Sequence, residues 1–136
     1  MPIHGESRLA SFDGGVALEA AQATARENLL SVCEFTADDF EILYVDDWIV
    51  DLYDDEAHLR DHYDTVLGHL HMDFLERETY EKTLLPNAGR VRANVTVMDR
   101  LTLLRVFVGD EGLYIALKPD SETREVAEAV IEAVDA

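Results

Sequence analysis

Lysine is scarce in this chain. Only Lys82 and Lys118 occur in 136 residues, beside nine arginines. Bases of both kinds total 11 against 29 Asp and Glu, a net charge of −18. Such a surface repels phosphate, which argues against nucleic acid and anionic membranes as direct partners. Cysteine is nearly absent too. With Cys33 alone, no intramolecular disulfide can form, which fits a reducing, cytoplasmic interior. Cys33 reads as a small buried apolar residue near a strand start rather than as a nucleophile. No apolar run approaches the ~20 residues of a membrane helix. The first residues, MPIHGESRLASFDGG, are polar and Gly-rich, unlike a signal peptide. Gly14-Gly15 and Gly109…Gly112 lack the spacing of a phosphate loop, and no serine sits in a nucleophile elbow.

Carboxylates are what the chain has in excess, and they are spread along its whole length rather than gathered in a tail. Dispersed acids with little lysine suit molar salt, where a screening length of ~3 Å removes most self-repulsion. The setting expected is the cytoplasm of a halophile. Length and an apolar fraction of 48% fit one globular domain, placed at 15–136, behind a mobile leader at 1–14.

Residues 90–117 organise the rest. They read as three strands, 91–98, 101–108 and 113–117, joined by turns short enough to force antiparallel neighbours. In the first, Val91, Ala93, Val95 and Val97 alternate with Arg92, Asn94 and Thr96. The second is apolar on both sides, with Leu103 and Phe107 on one face and Leu104, Val106 and Val108 on the other. A strand of that kind needs cover on both faces. Upstream, a helix is expected from Val16 to about Leu30, with Asp13 as its cap. A hairpin follows, 31–36 and 40–45. Residues 46–53 read either as a continuation of the second strand or as a short helical turn, the turn being preferred. Asp54 or Asp55 caps a long central helix, striped by Leu59, Tyr63, Val66, Leu67, Leu70 and Phe74, which runs to about Leu85. Ser121 is expected to cap the last helix, striped by Val126, Val130 and Val134. The fold class is α+β: a five-stranded antiparallel sheet with helices on both faces, in the order α-β-β-α-β-β-β-α.

That order, and above all GLYIALKPDSETREV leading from last strand into last helix, resembles the roadblock family, whose profilin-like or longin-like relatives share a five-stranded antiparallel sheet. The resemblance implies that the first and last helices cover one sheet face and the central helix the other. It implies a homodimer in which central helices pack together and the 90–98 edge strand pairs with its twin. It also implies a platform that contacts a small GTPase or signalling partner, without catalysis. The segments FEILYVDDWIVDLYD, LERETYEKTLL and LYIALKPD also resemble a family of small acidic proteins from haloarchaea.

Four of the five histidines fall in the central helix. His58, His62 and His69 share a face at spacings of 4 and 7, near whole turns. They read three ways: a zinc site, a polar flank of the apolar stripe, or a proton-sensitive dimer seam. The acidic pairs at 38–39, 46–47 and 54–55 lack the alternating ligands of a calcium loop and read as solvated. Arg90, Arg92, Arg100 and Arg105 either form a basic patch or pair with nearby acids. Trp48 is either an interface anchor or core. The expected interface comprises Arg90, Arg92, Asn94 and Thr96 on the strand, His62 and His69 on the helix, and Trp48. No nucleophile, base and oxyanion donor converge, so no catalytic residue and no cofactor are assigned. A non-enzymatic scaffold is the first reading. A metal-binding protein or small metal-dependent enzyme using His58, His62 and His69 is the alternative.

Overall fold

The computed structural model describes residues 2–135. In chain order the elements are β1 (Ile3–His4), α1 (Gly14–Ala25), β2 (Leu29–Phe35), β3 (Phe40–Val45), α2 (Asp47–Val50), α3 (Glu56–Thr79), β4 (Ala93–Val97), β5 (Thr102–Val108), β6 (Glu111–Leu117) and α4 (Thr123–Asp135). A 3₁₀ turn (Arg26–Asn28) follows α1, and a π-helical turn (Tyr80–Leu84) continues α3. The strands form one antiparallel sheet in the order β1-β3-β2-β6-β5-β4.

The alternation rules place the side chains. Leu104 and Val106 of β5 share a core with Val32, Leu43, Ile115 and Leu117; α1 covers it with Ala17, Ala21 and Ala25, and α4 with Val126 and Val130. On the opposite face Leu30, Cys33, Phe35, Phe40 and Ile42 pack under Leu59, Tyr63 and Leu70 of α3. The central strands are therefore greasy on both sides because each side has its own helical layer. Asp13 caps α1 by accepting from Gly15 and Val16, and Asp55 caps α3 by accepting from His58. Residues 46–53 do make a helical turn, α2, capped by Asp46.

Several expectations need correction. Among the described residues the sheet has six strands rather than five, and four α-helices interrupt it, so the order is β-α-β-β-α-α-β-β-β-α. The extra strand comes from the segment read as a leader outside the domain: Ile3 pairs with Val45 and His4 with Tyr44. The first helix stops at Ala25 rather than near Leu30, because Arg26 turns to φ 54° and Leu29 must pair with Leu117. Ser121 does not cap α4; its hydroxyl donates to the Lys118 carbonyl at 2.6 Å and closes the preceding turn. Cover on the α3 side is also incomplete. Leu101 and Leu103, toward the β4 edge, are only partly buried.

Candidate functional site

β4 ends the sheet, with β5 on one side and no strand of the described residues on the other. Its ladder fixes which groups are unused. Phe107 donates to the Arg92 carbonyl at 3.0 Å, and Met98 donates to the Leu101 carbonyl at 2.9 Å. Antiparallel ladders alternate, so Asn94 and Thr96 also bond inward, and the amides of Ala93, Val95 and Val97 point out of the edge. These are unblunted strand edges of the kind that recruit another strand. Val97 is 77% exposed, and Val95 and Met98 are about half exposed.

Beside this edge lies a groove of about 550 Å³ between α3 and the sheet. His62, His69 and Met72 line its helix side, and Thr96, Leu103 and Tyr114 its floor. A second hollow of about 460 Å³ continues along Asn94, Glu76 and Tyr80. At the junction Arg105 is held from several directions. Its Nε donates to Asp73 Oδ2 at 3.1 Å, and its Nη1 donates to Thr96 Oγ1 at 2.7 Å and to the Leu103 carbonyl at 3.2 Å. Asn94 donates to the same aspartate at 3.5 Å. This network locks α3 to β4 and β5 and leaves no unpaired charge on the groove floor. Burial pushes the Tyr114 phenol up to about 12, so it stays a neutral donor there.

The outer flank of α3 carries apolar residues that touch no core. Only Leu59, Tyr63 and Leu70 of its residues are buried. Met72 and Leu75 are exposed, Leu75 by 68%, and Tyr80, Leu84 and Leu85 extend the strip beyond the helix. Open strand edge and groove thus adjoin on one flank of α3, with Met72 at the rim, while Leu75 lines the other flank beside Ala37, His71 and Asp110.

The histidines do not gather. Among the described residues no group of three or more His, Cys, Asp or Glu is placed to hold a metal ion. His58 and His69 are 11 positions apart, which at ~1.5 Å per residue separates them by roughly 16 Å along the axis. His58 Nδ1 accepts from the Asp54 amide at 3.1 Å, and its ring lies 5.0 Å from that of Tyr53. His62 lies 5.2 Å from the same tyrosine, and burial, then the neighbouring His58, lower its pKa. His71 turns the other way, its Nε2 3.0 Å from the Ala37 carbonyl.

The expected interface residues divide. Asn94, Thr96, His62 and His69 do line the two hollows. Arg90 is exposed just before β4. Arg92 is engaged with Asp135 at the end of α4, and with Arg105 on Asp73 no common arginine patch forms. Trp48 is 42% exposed on α2, next to β3 and therefore across the sheet from β4. Met72, Leu75, Leu84 and Leu85 escaped sequence reasoning; the signal was their position off the Leu59–Leu70 stripe.

The description "Domain of unknown function (DUF7522)" belongs to a family that matches residues 16–136. No curated protein matches the chain. Among solved structures it is similar to a roadblock/LC7 domain from Streptomyces avermitilis, with TM-score 0.63 and 13% identity over 92% of this chain and 93% of that one. It is also similar to MglB in a tetrameric arrangement, with TM-score 0.56 and 15% identity over 96% and 97% of the two chains. The gliding protein MglB from Thermus thermophilus gives TM-score 0.53 and 15% identity over 96% and 98%. At these identities the likeness establishes a roadblock-like fold.

Proposed function

Because the chain belongs to the family described as domain of unknown function DUF7522, we propose its role from its surface: a non-enzymatic, homodimeric protein-interaction platform with a roadblock-like regulatory role. The observation that carries this reading is the β4 edge, where outward amides adjoin an uncovered groove with Met72 exposed at its rim. In the dimer β4 pairs with the β4 of a second copy about a two-fold axis, and each central helix helps cover the other's groove. Isologous two-fold contacts are the commonest way such patches close on themselves. The dimer then presents a continuous surface to a protein partner, a small GTPase or similar regulator, in the salt-rich cytoplasm that the acidic composition suits.

Val95→Pro tests it. Proline at this position deletes an outward amide and none of the β5 ladder, so the edge strand tolerates it. Light scattering in molar KCl at tens of micromolar should give two copies for the wild type and one for the variant, with the same circular dichroism. A monomeric wild type refutes the dimer. The placement of His58 and His69 lends the metal-dependent reading no support.

A further inference from the structure

The opposite end of the sheet, where the two-residue β1 covers β3, is treated differently, and a buried carboxylate shows how. Glu34 on β2 is fully buried. Its Oε2 accepts from the Leu9 amide at 3.1 Å and the Ala10 amide at 2.6 Å. Its Oε1 is the one buried side-chain oxygen among the described residues without a hydrogen-bond partner. Directly across the ladder stands Glu41. Two carboxylates opposite one another on adjacent strands repel, and burying one of them is costly. An apolar residue would serve the sheet better at position 34, so what the acid adds is its capture of two backbone amides from the N-terminal segment.

That segment runs as a strap. Ile3 and His4 pair with Val45 and Tyr44, and Gly5 donates to the Leu43 carbonyl at 2.9 Å. Residues 5–13 then leave the edge and cross the sheet. Ser7 Oγ accepts from the Gly14 amide at 2.9 Å, and both the amide and hydroxyl of Ser11 donate to Glu111. Phe12 packs against the core beneath α1 and α4. At Gly5 a Cβ would collide with the Ile42 carbonyl, so only glycine lets the strap lie this close to β3.

We propose that residues 3–13 are a releasable strap, latched by Glu34, that closes the β3 edge against pairing with another chain and leaves β4 as the edge open to a partner. Physically the two edges demand this asymmetry. A sheet open at both ends can pair β3 of one copy with β4 of the next, a head-to-tail contact that need not close and extends into chains. The strap covers the Leu43–Val45 half of β3 and leaves too little edge for an incoming strand. Beyond the β1 pairing, the Glu34 latch and the Ser7 and Ser11 contacts, release gives up the packing of Ile3 and Phe12, which are partly buried at the margins of the two cores, so the buried residues of both cores stay in place.

Two variants test the strap without touching β4. Glu34→Ala removes the latch and relieves its repulsion with Glu41. Gly5→Ala drives a methyl group into the Ile42 carbonyl and lifts the segment off β3 while Glu34 remains. Hydrogen exchange should quicken at least tenfold at the Leu9 and Ala10 amides in Glu34→Ala and at the residue-5 amide in Gly5→Ala, with β5 and β6 amides unchanged. The mass by light scattering should rise above that of the wild type as concentration increases. Because each variant is compared with the wild-type mass, whatever it is, the outcome does not depend on the β4 dimer. Unchanged exchange at those amides, equal quickening across the whole sheet, or a freed strap with no gain in mass would each overturn the proposal.

Discussion

His62 shows how far one residue's surroundings set its chemistry. Burial disfavours its imidazolium, and His58 one turn away adds to that, so its folded pKa lies below the ~6.5 of an unperturbed histidine. The unfolded chain then takes up this proton more readily than the folded one. The contribution of His62 to stability is complete above pH ~6.5 and is lost as pH falls through the lower, folded pKa. Wild type should lose more stability between pH 7 and pH 5 than His62→Gln, measured by urea midpoints at constant salt. Equal losses would show that His62 titrates normally. The sequence revealed that His58, His62 and His69 share one side of α3, since 3.6-residue periodicity decides that. It also held the reason they cannot share one ion, since an axial rise summed over 11 residues outruns any coordination sphere. Cys33 was legible as inert: it is buried, and burial pushes its thiol pKa well up. Glu34 was not legible, because nothing local marks one acid among 29 as the one that faces inward.

At the scale of elements, α3 divides its residues between two tasks. Leu59 and Leu70 hold it to the sheet, while Leu75 faces away from the core. Leu59→Ala and Leu70→Ala should each lower stability by about 2–5 kcal/mol in chemical denaturation. Leu75→Ala should leave monomer stability nearly unchanged. A Leu75→Ala loss as large as that of Leu70→Ala would place Leu75 in the core. Element types were readable where a pattern was long, as in α3 and the β4–β5–β6 meander. Boundaries were not. Leu29 continues the spacing of Leu18, Ala21 and Ala25, so the stripe gave no sign that the helix yields to β2. What ends it is the positive φ of Arg26 and the pairing of Leu29 with Leu117, and that pairing is 88 residues away in sequence. β1 is two residues long inside a polar stretch, too short for any periodicity to show.

For the whole molecule, the charge of −18 on 136 residues is the dominant fact after the fold. Carboxylates outnumber their cationic partners, and most of the ion pairs lie at the surface, where each contributes little. At low ionic strength the screening length grows from ~3 Å at 1 M to ~30 Å at 0.01 M, and repulsion then reaches across the entire molecule. Near-UV circular dichroism should diminish on dialysis from molar KCl to dilute buffer. A signal that stays unchanged would contradict a chain adapted to high salt. The layered architecture was foreseeable because strands apolar on both faces require two helical layers. The partly bare region over Leu103 was not, because periodicity says which residues want cover and not whether one chain supplies all of it.

Whether a second copy supplies the rest is decided most directly by a distance across the β4 edge. A nitroxide label at Val97→Cys, in a Cys33→Ser background and molar KCl, would be read by pulsed dipolar spectroscopy. Paired strands lie ~4.8 Å apart and rise ~3.4 Å per residue, so two copies of a short edge strand should bring their labels within about 30 Å. A single short distance that Val95→Pro abolishes is expected. No dipolar coupling at tens of micromolar, or a distance well beyond that span, would contradict β4 as the joining edge.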